Sequence, residues 1–196
     1  DGRNWTRQSE QPVITPTQEW EKTMVMGPHV LWDKQEKIFK MWYSCGYSGA
    51  YGGGGSPNEP KSIGYATSKD GKTWEKHPNN PIFTPDASCH WEQDRVTACQ
   101  VIKRKKDYLM FYIGFRDEEL AQIGMARSAD GISNWVRYDG NPIISPTPDG
   151  WDASACYRPF VVYEKENKRW LLYYNGRNHS LERMGVAIYE GSEILF

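Results

Sequence analysis

The strongest constraint on this chain is a hairpin that it writes more than once. One copy is SIGYATSKDGKTWEKHPNNPIFTP, Ser62 to Pro85, and another is QIGMARSADGISNWVRYDGNPIISP, Gln122 to Pro146. In each, a β-rich run meets an Asp-Gly turn, a Trp-led run and then Asn-Pro-Ile. An Asp-Gly pair between two such runs is a strong hairpin signal, because both turn positions must tolerate positive φ. The chain opens on DGRNWTRQSEQPVITP, which matches the same pattern from the turn onward. Self-similarity at a near-constant spacing means repeated supersecondary units.

Stacking the copies exposes a longer unit, with repeats at about residues 11–79, 80–140 and 141–190 of a single domain, 1–196. Each unit reads as up to four strands. Strand A is expected at Val25–Trp32, Val96–Lys103 and Tyr157–Tyr163, and strand B at Phe39–Ser44, Tyr108–Ile113 and Trp170–Tyr174. Strand C is expected at Ile63–Thr67, Ile123–Arg127 and Met184–Ile188, and strand D at Trp74–Lys76 and Trp135–Tyr138. No long stretch keeps the 3.6-residue apolar period of a helix. Four short antiparallel strands per unit, repeated radially, are the pattern of an all-β propeller. The N-terminal Trp5 run is then a strand D, expected to complete the last unit, which shows A, B and C only. Three arrangements remain open: three blades closing on themselves, a piece of a larger propeller, or a homodimer sharing one six-bladed ring.

Composition narrows the function. Lys+Arg 24 against Asp+Glu 25 gives a net charge of −1, not the basic footprint of a nucleic-acid binder. No apolar run reaches the length of a membrane span. Cys45, Cys89, Cys99 and Cys156 form no Cys-x-x-Cys pair, so they read as small buried thiols rather than a zinc or redox motif. No signal-peptide pattern is visible, and because the chain opens inside a repeat this leaves the compartment open.

In a propeller the strand A starts, the connections into them and the B–C loops share one face. That face gathers Trp20, Trp91 and Trp151, each followed by an acid, with His29, Tyr157 and Arg158 at the strand A starts. The B–C loops add Arg116, Arg177 and His179. Aromatic faces stack on the C–H surfaces of sugar rings, and charged or amide groups grip hydroxyls directionally, so this set suits a carbohydrate pocket. A Trp recurring once per unit equally suits blade packing, with its acidic neighbour tying the connection down.

The run Trp-Glu/Asp, x-Pro-x-Val, Met-Trp-Tyr-x-x-Gly and Ile-Gly-Tyr-Ala-x-Ser-x-Asp-Gly-x-x-Trp resembles the five-bladed propeller glycosidases. Those are glycoside hydrolase family 43 above all, with families 32 and 117 and the mannoside phosphorylases of family 130. The hairpin SKDGKTW is also similar to a shortened Asp-box. The resemblance implies a glycoside hydrolase-like protein and a secreted or periplasmic setting. It implies no obligatory cofactor, although related propellers sometimes hold a calcium ion in the channel. The family 43 pattern carries its catalytic base on the Asp of an inner-strand Asp-Pro. Here the matching positions are Gly27, Ala98 and Arg158, none a carboxylate. Cleaving a glycosidic bond needs two carboxyl groups in different environments. The replacement candidates are Asp94, Asp152, Glu92 and Glu118. The alternatives are a carbohydrate-binding propeller without catalysis and a purely structural or interaction scaffold.

Overall fold

A computed structural model describes residues 2–22, 24–46, 60–117 and 119–196. Eleven antiparallel strands and one 3₁₀ turn, Glu19–Glu21, make up its regular structure. The first sheet has the order β1 (Val25–Asp33), β2 (Ile38–Cys45), β3 (Ser62–Ser68), β4 (Glu75–Lys76). The second repeats it with β5 (Arg95–Lys103), β6 (Tyr108–Phe115), β7 (Ala121–Ser128) and β8 (Val136–Arg137). The third has three strands, β9 (Ala155–Glu164), β10 (Arg169–Asn178) and β11 (Leu181–Glu190). Every expected strand A, B and C overlaps an observed one, and strand D is shorter than expected.

The N-terminal segment joins none of these sheets. Trp5 is 89% exposed and its indole donates to Gly2 O, and among the described residues the Trp5 run does not join the last sheet, so its expected completion is not formed there. The outer edge of β11 is instead followed by a C-terminal stretch that folds back. Trp170 Nε1 donates to Ser192 O, Arg104 donates to Ile194 O, and Phe196 packs against Tyr138.

The sheets stack face on face, and β6 shows why its sequence is apolar throughout. Alternate residues of a strand point to opposite faces. Tyr108, Met110 and Tyr112 join Trp42, Tyr65 and Val96 in the core between the first two sheets. Leu109 and Phe111 join Met125, Val161 and Leu172 in the core between the second and third. The middle sheet is thus covered on both faces. The third sheet leaves Phe160, Met184, Val186 and Ile188 about half exposed or more on its far side.

The turns follow from local chemistry. Asp70 accepts from the backbone amides of Lys72 and Thr73 while the Ser68 hydroxyl accepts from Gly71. Asp130 does the same for Ile132 and Ser133, with Ser128 accepting from Gly131. Asp side chains mimic a backbone turn in this way. Asn80 then staples the hairpin's return. Its side chain accepts from Tyr65 N and donates to Tyr65 O, as Asn141 does with Met125.

Candidate functional site

The three inner strands share one irregularity. Pairing slips between Met26 and His29 in β1, between Thr97 and Gln100 in β5, and between Tyr157 and Phe160 in β9. Each slip is an extra residue on the inner strand, which is a β-bulge, and bulges re-aim side chains at the end of a ladder. The residue at each bulge has positive φ: Gly27 at 58°, Ala98 at 37° and Arg158 at 52°. Glycine takes that region freely, whereas Ala98 and Arg158 hold it at a strain of about 1–3 kcal/mol each. These are the three positions where the resemblance placed a catalytic Asp.

The bulges converge. The Ala98 amide donates 2.7 Å to the Ser44 hydroxyl across the sheet boundary, and a Cβ on Gly27 would sit 3.9 Å from Ala98 Cα. Together they line a cavity of about 490 Å³. Its apolar wall includes Pro28, Ile113, Phe115 and Pro159; Ser44 and Thr97 add hydroxyls. Its charged residues are Arg158 and Arg177, and its described lining contains no Asp or Glu. The Asp-Gly hairpins lie at the opposite ends of the strands, away from the cavity.

Tyr157 also lines this cavity, and its hydroxyl donates to the Glu182 carboxylate. Burial pushes the phenol up and Glu182 adds to this, to about 12, against the nearby positive charges of Arg177 and Arg158. The phenol therefore stays protonated at neutral pH. Arg177 donates 2.9 Å to Glu119 O. The exposed Arg158 guanidinium makes no hydrogen bond or ion pair among the described residues.

The repeated Trp-acid pairs have another task. Tyr112 on β6 donates 2.6 Å to Glu92, which is completely buried and also takes the Arg137 guanidinium from β8. Tyr43 donates 2.9 Å to Glu21, which also holds Lys76 of β4 and the amides of Thr17 and Gln18. Tyr174 donates 3.1 Å to Asp152, which also accepts from Thr147 N. Each Trp packs on the same Tyr, with ring centroids 6.0, 5.6 and 5.8 Å apart for Trp20, Trp91 and Trp151. Trp91 is wedged so tightly over Gly114 that a Cβ there would lie 2.3 Å from its ring.

Burial raises the Glu92 carboxyl, opposed by Tyr112 and Arg137. Burial also works against ionised Asp152, but hydrogen bonds from Thr147, Tyr174 and Cys156 outweigh it and hold the group below its ordinary value. Glu92 and Asp152, the carboxylates expected to be catalytic, are thus each engaged by partners within the chain. Both lie buried in the connections that lead into β5 and β9, satisfied by partners, and neither is among the described residues that line the cavity. Trp20, Trp91 and Trp151, expected as sugar platforms, pack on these Tyr and Gly neighbours and are not among the described residues that line the cavity.

His29 is a strut rather than a lining residue. Its Nε2 bonds Val101 O of the next sheet at 2.9 Å, and Gln100, two residues past the next bulge, bonds Val161 likewise. Asp94 pairs with Arg95 at 2.8 Å and keeps 30% of its side chain exposed. Arg116 pairs with Asp117, and the exposed His179 donates its backbone amide to the Ser154 hydroxyl at 3.0 Å. None of these lines the cavity. Glu118 lies outside the described residues. Of the expected site residues, the structure brings together Tyr157, Arg158 and Arg177. Sequence reasoning missed Ser44, Ile113 and Phe115; the Pro that follows Gly27 and Arg158 is the one local sign of the bulges.

A calcium ion takes six to eight oxygen ligands, carboxylates prominent among them. No group of three His, Cys, Asp or Glu among the described residues is placed to hold a metal, and the cavity lining has no carboxylate. The described residues do not fit calcium. Among the four cysteines Cys45 and Cys156 are buried, Cys89 and Cys99 partly so, and none forms a disulfide.

The family model for the glycosyl hydrolases family 32 N-terminal domain matches residues 50–195. An uncharacterised protein of Mycobacterium tuberculosis is 29% identical over 154 residues, covering 78% of this chain and 47% of that protein. A β-1,2-mannobiose phosphorylase of Thermoanaerobacter sp. is 29% identical over 180 residues, covering 86% of this chain and 53% of that enzyme. This chain thus spans about half the length of these curated relatives. Among solved structures, the β-1,2-mannobiose phosphorylase of Listeria innocua in complex with β-1,2-mannobiose superposes with a TM-score of 0.67. It is 18% identical and covers 94% of this chain and 46% of its own, a likeness of fold.

Proposed function

Since the chain belongs to the glycosyl hydrolase family 32 N-terminal domain family, we propose that it forms the carbohydrate-binding wall of a propeller glycosidase or phosphorylase site. The observation that carries this reading is the convergence of three bulged inner strands on one cavity, at Gly27, Ala98 and Arg158. The three sheets are successive propeller blades in this reading, and the bare face of the third takes a further blade. Pro28, Phe115 and Pro159 meet the C–H face of a sugar ring. Tyr157, Ser44, Thr97 and the two arginines meet its hydroxyls. The reading is supported by relatives and neighbours that are carbohydrate-active proteins, one of them solved with a bound disaccharide.

Glycosidic cleavage by acid and base carboxylates keeps Asp94, whose side chain is 30% exposed, and Glu118 as this chain's candidates. A second reading, sugar binding without turnover, is favoured by the absence of a carboxylate from the described lining. The test is a thermal-shift and calorimetric screen of neutral and acidic oligosaccharides, followed by turnover of aryl-glycosides with and without phosphate. Stabilisation by a sugar that a cavity variant abolishes supports the reading. No stabilisation by any sugar overturns it.

A further inference from the structure

Every charged side chain in the described lining of the cavity is a cation. Arg158 and Arg177 stand on neighbouring strands, β9 and β10, and both bring positive charge to Tyr157 between them. Arg177 spends one donor on Glu119 O, and Arg158 spends none on any described residue. The nearby acid, Glu182, is engaged by the Tyr157 hydroxyl. A guanidinium offers five donors in a planar fork that matches a carboxylate or phosphate. Arg158 is moreover held in a strained backbone conformation at φ 52°, where the equivalent residues are glycine and alanine. Strain kept for a large charged side chain is a sign of function at that position.

From this we infer that Arg158 and Arg177 form a receptor for the oxyanion of a ligand seated in the cavity, the carboxylate of an acidic sugar. The inference rests on the carbohydrate reading of the same cavity and adds the ligand's charge. A neutral sugar leaves the two guanidiniums without an acceptor of opposite sign. A uronate ring turns its carboxylate to them and its C–H face to Phe115 and the prolines. The cavity, at about 490 Å³, is large enough for a ring with its anion. Free inorganic phosphate carries the same oxyanion chemistry and is the competing source.

The test compares uronate disaccharides (galacturonate, glucuronate and mannuronate) with their neutral counterparts and with inorganic phosphate, by titration calorimetry at low and high salt. The expected result is that at least one uronate binds about tenfold or more tightly than its neutral counterpart. Added salt weakens that preference, and Arg158→Ala and Arg177→Gln each remove most of it. Arg158→Ala is expected to fold, because Ala98 already occupies the equivalent bulge. Arg158→Lys, which keeps the charge, should retain part of the preference. Binding of phosphate alone, lost in Arg158→Ala, upholds the arginine receptor and assigns the anion to solution. Equal binding of neutral and acidic sugars, unchanged in both variants, overturns the inference while leaving the carbohydrate reading intact. No binding of any sugar or of phosphate overturns both.

Discussion

The Tyr112 hydroxyl donates 2.6 Å to Glu92 in a setting where solvent reaches neither residue. The pair recurs as Tyr43 with Glu21 and as Tyr174 with Asp152, each under a Trp. A strand B tyrosine and a connection acid thus pin each sheet to the segment leading into it. This relationship makes a stability role for these acids the expectation that variants of the pair test.

Tyr112→Phe is expected to lower stability by about 1–3 kcal/mol, because it strips a partner from a buried carboxylate. Glu92→Gln should lower it by a similar amount, since it also removes the charge facing Arg137. In denaturant melts both variants shift the midpoint, while sugar affinity stays at the parent value. A Glu92→Gln protein of parental stability that has lost turnover would return Glu92 to catalysis.

Gly114→Ala is expected to destabilise by about 1–3 kcal/mol or more, since its Cβ would lie 2.3 Å from the Trp91 ring and 2.7 Å from Glu92 Cβ. Gly27→Ala meets nothing closer than 3.6 Å. It pays only for a left-handed backbone, about 1–2 kcal/mol, a conformation Ala98 already tolerates. Thermal melts of the two variants should rank them in that order.

Acid sensitivity should begin with His29. Burial lowers its pKa below the ordinary value, outweighing the bond to Val101 O. The folded state therefore binds fewer protons there than the unfolded chain, whose histidine titrates near 6.5. Stability is full above that pH and falls as pH drops through it toward the folded value. His29→Gln, which copies Gln100, should flatten the fall in melting temperature between about pH 7 and 5. A second decline follows at lower pH as Asp33 protonates. Burial works against that carboxylate, but Lys103, Lys40 and two turn amides hold its pKa well below the ordinary range.

The hairpins and strands were legible because their determinants are local. Asp70 and Asp130 fix turns with neighbours two and three residues away, and the continuous apolar run of β6 marks a strand buried on both faces. The site was half legible. Tyr157, Arg158 and Arg177 were visible as residue types on one face, and the Pro after Gly27 and Arg158 hinted at a break in the ladder. The partition of acids was not legible, because Glu92 and Asp152 owe their burial to tyrosines about 20 residues on, and nothing in a Trp-Glu pair distinguishes a pin from a catalyst. The three-stranded last sheet was also hidden. The Trp5 run has the composition of a strand D, but pairing depends on a partner edge that composition cannot specify.

The most direct test of the account is amide chemical-shift mapping during titration with the best-binding oligosaccharide. The account predicts shifts at Gly27, Ala98, Tyr157 and Arg158, with the Asp70 and Asp130 hairpins at the far end unmoved. Shifts confined to those hairpins, or spread along the outer face of β11 with the bulges silent, would contradict it.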